Sequence, residues 1–202
     1  MFIILLVVCY LLGSIPFGFL IAKIWGVDVR AKGSGNIGAT NVLRTVGVVP
    51  GILALLLDVL KGTLAIFLAR LFFADPLIII MCGLTGVLGH SFSIFLKFKG
   101  GKSVATGLGL LLGIAPEIFL FTVIIFAISL ILCRYVSVSS IIASIIAAVS
   151  FFVLGKPIAY SIVSSLIAFL IVLRHLPNIK RLLAGTEPKI GFRRSSARGE
   201  KK

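Results

Sequence analysis

The chain has 202 residues, a hydrophobic share of 59%, a charged share of 13% and a mean hydropathy of +1.22. A soluble domain usually carries about 25% charged residues, so this composition excludes a water-soluble globule. A bilayer span takes roughly 20 apolar residues, so seven spans leave about 60 positions for loops and ends, which excludes a separate soluble domain. The formal net charge of +14 requires nucleic-acid binding to be considered.

Cysteines and acidic residues are scattered singly along the chain. Cys9, Cys82 and Cys133 stand in apolar runs without the spacing of a disulfide framework or a zinc site, and we expect small core or lipid-facing residues. The acidic residues do not cluster as the oxygen ligands of Mg²⁺ or Ca²⁺ do; they are Asp28, Asp58, Asp75, Glu117, Glu187 and Glu200. We therefore expect neither metal-dependent chemistry nor a cofactor.

Apolar runs predict the helices. The chain begins without the basic region of a secretory signal, so its first apolar run is predicted to be a retained span. Dividing the chain at charges and turn residues predicts seven helices, at 2–22, 50–72, 77–95, 104–115, 118–133, 136–154 and 158–173. The fourth, of about 12 residues, rises about 18 Å, less than the roughly 30 Å hydrocarbon core. It is tilted, extended, or half of a re-entrant pair with the fifth.

The predicted fold is therefore all-α, a polytopic integral membrane protein with about seven transmembrane helices. Residues 1–192 are predicted to form a single transmembrane domain, followed by a short, basic, disordered tail at 193–202.

The basic residues indicate the orientation of the chain. Seventeen of the 20 follow the first, third, fifth or seventh span, whereas Arg70 and Lys156 fall on the other side and Lys61 lies inside the second span. The positive-inside rule then places the amino terminus outside and the carboxyl terminus in the cytoplasm. Topology and attraction to anionic headgroups account for most of the charge, so membrane lipid is an expected partner and nucleic acid is not.

The first cytoplasmic loop, residues 32–44, is rich in glycine and small polar residues. Glycines allow consecutive backbone amides to converge on an anion, and a following helix start adds its positive dipole end. The alternative is a flexible linker, which two asparagines and an arginine at this density disfavour. The candidate phosphate-binding residues are Gly33, Ser34, Gly35, Asn36, Gly38, Thr40, Asn41 and Arg44.

The second cytoplasmic loop, residues 89–106, carries three lysines and a glycine pair. Its Gly-Lys-Ser segment resembles the end of a Walker A loop, but position 96 is Leu instead of Gly and no strand precedes it, which disfavours a nucleotide triphosphatase. The glycine pair lies just before a predicted helix, where an anion is favoured, whereas topology alone explains Lys97. The candidates here are His90, Lys99, Gly100, Gly101, Lys102 and Ser103.

A third polar cluster follows the last span, from Arg174 to Glu187. His175 and Asn178 share a face if the helix continues, but Pro177 equally suits the first turn of a new helix. Structural and functional roles for His175 both stay open.

Asp58 and Lys61 lie one turn apart inside the second span. Ionisable residues within a membrane are costly and usually functional, and these two can pair. A substrate role and a structural ion pair are equally supported.

Other function classes fit less well. The His-x4-Asp motif of soluble glycerolipid acyltransferases is missing because Phe95 stands at the required distance from His90, and the paired aspartates of CDP-alcohol phosphotransferases are missing too. An organophosphate or ion transporter is the main alternative, suggested by many short spans, glycine-rich interruptions and the intramembrane charge pair. However, the polar clusters gather at one face and the sequence has no convincing inverted repeat.

Three segments together resemble the motifs of the bacterial acyl-phosphate:glycerol-3-phosphate acyltransferases. They are Gly33 to Asn41 with Arg44, Gly89-His90 with Phe98 to Thr106, and His175-x-x-Asn178 with Gly185 to Glu187. The resemblance runs from Leu12 to about Lys189 and includes Asp58-x-x-Lys61. Two positions depart from the family pattern: Ile37 stands in place of Pro, and Ser103 in place of Gly, which argues against a positive φ there.

The resemblance implies transfer of a fatty acyl group from acyl phosphate to the 1-hydroxyl of glycerol 3-phosphate, giving lysophosphatidic acid and inorganic phosphate at the cytoplasmic face of the bacterial inner membrane. It implies essential Ser34 and Arg44, glycines of the second loop that help bind glycerol 3-phosphate, a contribution from His175 and Asn178, and a more structural Glu187. The soluble enzyme that makes acyl phosphate is then a further expected partner.

Physical chemistry agrees with this implied reaction. An acyl phosphate already carries a good leaving group, so the enzyme chiefly holds two anions together and stabilises an oxyanion. We assign Arg44 and Lys102 to phosphate neutralisation, Ser34 and Asn178 to orientation, and His175 to proton transfer or positioning. The donor phosphate is the alternative base.

Overall fold

Residues 1–190 are described by the structure, a computed structural model, and all their regular elements are helical. The α-helices are α1 Phe2–Ser14, α2 Phe17–Ile24, α3 Ala39–Thr45, α4 Val48–Phe72, α5 Pro76–Ser91, α6 Val104–Ile114, α7 Pro116–Cys133, α8 Val136–Val153, α9 Ile158–Arg174 and α10 Leu176–Leu183. A 3₁₀ turn, Ile94–Leu96, lies between α5 and α6. All seven apolar segments are helical, which confirms the predicted all-α fold. The predicted disordered tail at 193–202 lies outside the described residues.

Within residues 1–190, fewer stretches than predicted are long enough to cross a bilayer. Five qualify by length and composition: Phe2–Ile24, Val48–Phe72, Pro76–Leu96, Pro116–Cys133 and Val136–Val153. The α9 and α10 pair, bent by 49°, is a sixth candidate if it counts as one span. Helix α6 has 11 residues, about 16 Å at the usual rise, so the predicted weakness of the fourth segment is confirmed.

The first predicted span, 2–22, is not one continuous helix. Helix α1 ends at Ser14 and α2 begins at Phe17, because Pro16 lacks an N–H and its ring disfavours helical backbone before it. The break frees the carbonyl oxygen of Ile15, which accepts a hydrogen bond from Lys61 Nζ at 2.8 Å. The same oxygen also accepts from the Phe17 N–H at 3.1 Å, so an α4 side chain and the first residue of α2 together satisfy the backbone at this break.

Helices α4 and α6 pack closely through glycines. A Cβ at Gly109 would lie 1.9 Å from the carbonyl oxygen of Val59, so no larger residue fits there. Small residues at such contacts are typical of helices packed in membranes. In addition, Thr63 Oγ1 donates to the carbonyl oxygen of Gly109 at 2.9 Å. These contacts fix α6, and with it the loop that precedes it, against α4.

The buried apolar residues form two clusters. The larger one is formed mainly by α1, α4, α5, α6 and α9, and includes the buried Cys9 and Cys82. Cys133 is half-buried, and all three cysteines are free thiols. The smaller cluster joins α2, the first loop, α3 and α4. Ile37 is buried there, so it anchors the first loop by packing.

Candidate functional site

The first loop is folded around the side chain of Asn41, which is 2% exposed. Its amide nitrogen lies 2.9 Å from the carbonyl oxygen of Val29, 3.1 Å from that of Lys32 and 2.8 Å from that of Asn36. Its amide oxygen accepts from the Ser34 N–H at 2.9 Å. Asn41 was predicted to bind substrate, but the contacts of its amide indicate a residue that shapes the loop.

Other predicted residues of this loop divide between turn geometry and cavity wall. Gly33 and Gly35 have left-handed φ values of 61° and 71° and turn the chain. Asn36 Oδ1 accepts from the Gly38 N–H at 2.8 Å, a second internal bond. Arg44, on α3, lines the cavity described below, and its Nη2 donates to the carbonyl oxygen of Pro188 at 3.1 Å.

The glycine pair of the second loop is bonded within the protein. The Gly100 N–H donates to the carbonyl oxygen of Ser91 at 3.2 Å, and the Gly101 N–H to that of His90 at 3.0 Å. A Cβ at Gly101 would lie 2.2 Å from His90 Nε2. A backbone carbonyl oxygen already accepts a hydrogen bond from each of these two amides. The structure therefore disfavours the predicted contact between the amides and a phosphate. Their contribution is to present Lys102, the next residue, to the cavity.

Ser103 adopts the left-handed conformation, with φ 60°, although a serine was expected to avoid it. Such backbone is unfavourable for a residue with a Cβ. The side chain is fully buried, and its Oγ donates to the carbonyl oxygen of Val87 at 2.8 Å and lies 2.6 Å from the Ser91 Oγ. These hydrogen bonds offset the cost of the conformation, so a serine is accommodated at this position.

Asp58, Lys61 and His90 form a buried polar group between α4 and α5. Lys61 Nζ lies 2.8 Å from Asp58 Oδ1, and His90 Nδ1 lies 3.6 Å from the same oxygen. Lys61 also holds the α1–α2 break. Asp58 and His90 reach the cavity wall, whereas Lys61 lies behind it. For Lys61, the structure favours the ion-pair alternative over contact with substrate.

The third cluster contains a helix boundary. Helix α9 ends at Arg174 and α10 begins at Leu176, so of the two alternatives the structure has the new helix near Pro177. His175 Nδ1 lies 2.8 Å from the carbonyl oxygen of Ile171. A carbonyl only accepts, so Nδ1 carries the proton and Nε2 holds the lone pair in the neutral ring. His175 therefore has a basic nitrogen free of this bond.

Asn178 connects the second and third motifs. Lys102 Nζ donates to its Oδ1, and its Nδ2 donates to Glu187 Oε1 at 2.7 Å. Ser137 Oγ donates to the same carboxylate oxygen at 2.8 Å, and Arg181 Nε to Oε2 at 2.8 Å. Burial opposes ionisation of Glu187, but these hydrogen bonds outweigh it and lower the pKa of the carboxyl. Glu187 thus holds the Asn178 amide in place, consistent with the structural role that the resemblance implies for it.

Lys102 is half-buried among positive charges. Burial lowers the pKa of its ammonium group to about 8. Glu187 opposes this effect, and the guanidinium groups of Arg181, Arg44 and Arg174 reinforce it. An anion bound here would gain from several nearby cations, as phosphate recognition requires.

These residues line one cavity of about 590 Å³. The predicted residues in its wall are Ser34, Asn36, Gly38, Thr40, Asn41, Arg44, Asp58, His90, Lys102, Ser103, His175, Asn178 and Glu187. The remaining predicted residues lie outside its wall; they are Gly33, Gly35, Lys61, Lys99, Gly100 and Gly101. The structure therefore brings side chains from all three motifs to one space.

The rest of the wall is mostly apolar and was not predicted. It comes from α4, α6, α7, α8 and α9. On α8 the lining residues fall on one helical face, as single or paired positions one turn apart: Val136, Ser137, Ser140, Ala143, Ser144, Ala147 and Ala148. The small side chains of this stripe leave room between helices. The spacing of these small residues was the sequence signal that could have indicated that the cavity continues between the helices.

Comparison with known proteins identifies the family. The family model described as glycerol-3-phosphate acyltransferase matches residues 3–185. A glycerol-3-phosphate acyltransferase of Geotalea daltonii is 48% identical over 187 residues, which cover 92% of this chain and 95% of that protein. Glycerol-3-phosphate acyltransferase 2 of Moorella thermoacetica is 43% identical over 194 residues, which cover 96% of this chain and all of that protein.

Two solved structures have the same architecture. The crystal structure of PlsY (YgiH), an integral membrane glycerol 3-phosphate acyltransferase, in its glycerol 3-phosphate form has a TM-score of 0.90 at 43% identity, covering 94% of this chain and 96% of that one. Its lysophosphatidic acid form has a TM-score of 0.88 at 43% identity, covering 94% and 95%. With motifs, fold and relatives in agreement, this chain is an integral membrane protein that belongs to the glycerol-3-phosphate acyltransferase family.

Proposed function

We propose that the chain transfers a fatty acyl group from an acyl phosphate to the 1-hydroxyl of glycerol 3-phosphate, and releases lysophosphatidic acid and inorganic phosphate. The observation that carries this proposal is a single cavity with two chemically different ends. Arg44 and Lys102 line its polar end, which suits phosphate groups, whereas apolar helix faces line the remainder, which suits an alkyl chain. The relative PlsY is described in a glycerol 3-phosphate form and a lysophosphatidic acid form, the acceptor and the product of this reaction.

The reaction exchanges one bond of the acyl carbon for another. The 1-hydroxyl oxygen bonds to the acyl carbon, the bond from that carbon to the phosphate oxygen breaks, and phosphate leaves with the electron pair. Arg44 and Lys102 neutralise phosphate charge, while Ser34 and Asn178 orient the groups. The hydroxyl proton passes to His175 Nε2 or to an oxygen of the donor phosphate.

The assay uses purified protein in detergent with a fatty acyl phosphate and glycerol 3-phosphate. We expect equimolar release of phosphate and lysophosphatidic acid, and no product from acyl-CoA or acyl carrier protein of the same chain length. Lys102→Gln should lose most of this activity, whereas Lys180→Gln, which removes an exposed charge on α10, should retain it. Absence of lysophosphatidic acid contradicts the proposal, and donor-independent uptake of glycerol 3-phosphate by proteoliposomes would favour the transporter.

The proposed location is the bacterial inner membrane, with the site at the cytoplasmic face, where the soluble enzyme that makes acyl phosphate would supply the donor. The asymmetric distribution of Lys and Arg supports this orientation. In a cysteine-free background, a cysteine near Asp75 should react with an impermeant thiol reagent added to intact cells. Cysteines near Gly35 or Gly185 should not react, and the reverse pattern contradicts the proposed face.

A further inference from the structure

Arg174, the last residue of α9, contacts the glycine pair of the second loop. Its Nη2 donates to the carbonyl oxygen of Gly100 at 2.8 Å, and its Nε donates to that of Gly101 at 3.0 Å. The guanidinium carbon also lies 5.6 Å from the centre of the Phe92 ring, within the range of a cation–π contact. One side chain thus binds two consecutive backbone carbonyls and an aromatic ring of the same loop.

The opposite side of the glycine pair is held as well. The two amides donate to the carbonyl oxygens of Ser91 and His90, and the His90 ring packs directly against Gly101. The pair is therefore fixed on one side by the end of α5 and on the other by Arg174. The next residue, Lys102, enters the cavity wall, whereas Arg174 lies outside it.

The chemistry of this contact requires a guanidinium. Its N–H donors project from one rigid plane, so two of them can bind adjacent carbonyl oxygens while the plane lies near an aromatic ring. A lysine offers a single nitrogen on a flexible stem and cannot reproduce this pattern. A glutamine keeps some length and polarity but loses the charge that strengthens both hydrogen bonds.

We infer that Arg174 is a positioning residue for the acyl transfer proposed above: it holds the Gly100–Gly101 turn so that Lys102 projects toward Asn178 and the bound phosphate. This inference rests on the proposed function but concerns a residue that does not itself line the cavity. Arg174 and His175 are adjacent in sequence. The segment that carries the third motif therefore positions its own side chains and also Lys102, the cation of the second motif.

The test compares Arg174→Gln and Arg174→Lys with Lys180→Gln, which removes a charge from the neighbouring helix. We expect Arg174→Gln to lower kcat/KM for glycerol 3-phosphate at least tenfold, because Lys102 no longer projects correctly. Arg174→Lys restores the charge but not the paired contact, so it should recover only part of the loss. Lys180→Gln should resemble the wild type. Monodisperse elution and an unchanged Tm in detergent show that each variant is folded.

A second readout detects Lys102 directly and does not need turnover. Competitive acetylation with acetic anhydride across pH, quantified at Lys102 by mass spectrometry, reports both its pKa and its exposure. The charged and titratable groups around it come from α3, the α9–α10 boundary, α10 and the segment after α10: Arg44, Arg174, His175, Arg181 and Glu187. Removing the Arg174 charge and loosening the turn should both raise the apparent pKa of Lys102.

The outcomes separate this inference from the proposed function. A folded Arg174→Gln protein with wild-type kcat/KM and wild-type acetylation at Lys102 overturns the positioning role. Lost activity with unchanged acetylation overturns it too, because Arg174 would then act by another route. If the wild type lacks activity, the proposed function fails, while acetylation of Lys102 in Arg174→Lys, which keeps the charge but not the paired contact, still decides whether Arg174 positions Lys102.

Discussion

The ammonium group of Lys102 donates a hydrogen bond to the amide oxygen of Asn178, which lies 76 residues later in the chain. The other end of that amide donates to Glu187, so the orientation of Asn178 is fixed by an anion on one side and a cation on the other. A phosphate that entered the cavity would meet a cation whose direction is already set. This arrangement limits the reorganisation that binding requires.

The charge of Lys102 should govern activity at high pH. Its pKa of about 8 in the free protein means that the ammonium form is lost as the pH rises through this value. We expect kcat/KM to fall above about pH 8, and Lys102→Arg to extend the plateau upward because arginine stays charged. The measurement is a pH series from 6 to 10 for both proteins. A common basic limb in the two proteins would contradict this assignment.

Substitution of Arg44 by lysine should impair catalysis without disturbing insertion. Lysine keeps the charge but loses the rigid fork, so it cannot bond the Pro188 carbonyl and a phosphate together. Loss of one charge-assisted hydrogen bond predicts a decrease in kcat/KM on the order of tenfold or more. Kinetics in detergent, together with the yield of membrane-inserted protein, test this. If Arg44→Lys has wild-type kinetics, Arg44 does not bind a phosphate.

The two candidate bases are separated by comparing His175→Ala with Asn178→Ala. If His175 is the base, its variant should lose roughly 10²–10⁴-fold in kcat together with the acidic limb of the pH profile. If the donor phosphate takes the proton, His175→Ala should lose less and retain a limb near about 6, by analogy with protein phosphoesters. Asn178→Ala removes only an orienting amide, so its limb should remain in either case. A retained limb in His175→Ala eliminates the histidine base but not the acyl transfer.

The apolar end of the cavity should select the length of the acyl chain. Ala147 lines it ten residues beyond Ser137 on α8, about 15 Å from the Glu187 contact. Ala147→Leu should shorten this end, and each excluded methylene costs about 0.8 kcal/mol, so we expect kcat/KM for long acyl phosphates to fall several-fold relative to short ones. Val149→Leu, on the exposed side of α8, is the matched control. If the wild type and both variants show the same dependence of kcat/KM on acyl-chain length, the acyl chain does not bind at this end of the cavity.

Ser103 provides a stability test of its left-handed backbone. Ser103→Ala keeps the strained φ and loses the hydroxyl bonds, and should cost about 1 kcal/mol of unfolding free energy. Ser103→Gly loses the same bonds but relieves the strain, so its free energy of unfolding should stay near that of the wild type. Thermal unfolding in one detergent ranks the variants. A glycine variant less stable than the alanine variant would show that strain is not the deciding factor.

The helices were predictable because apolar runs of bilayer length have few stable alternatives. The break before Phe17 was not predicted, since no charge interrupts the first run, although Pro16 was a visible signal. The failure has a physical basis. Whether a proline ends a membrane helix or only bends it depends on what satisfies the freed carbonyl, and Lys61, its side-chain partner here, is 46 residues from Ile15.

Site residues were predicted by type more successfully than by role. Side chains of all three motifs do line one cavity. This was predictable because cations, amides and glycines in loops indicate anion binding. The internal bonds of Asn41, Gly100 and Gly101 could not be foreseen, since a sequence does not show which donors fold the loop and which face a ligand. The contact of Arg174 with the glycine pair likewise joins residues more than 70 positions apart.

The wall of the cavity includes Ser34 near the start of the chain and Glu187 and Ile190 near the end of the described part. The residues of the polar end are therefore synthesised partly at an early stage and partly at a late stage of translation. A nascent chain that has inserted α1 to α8 holds Arg44 and Lys102 but has no Asn178 to direct the lysine and no Glu187 to fix that amide. We therefore expect acyl transfer to begin only after the last helix has docked, and incompletely made chains in the membrane to lack activity.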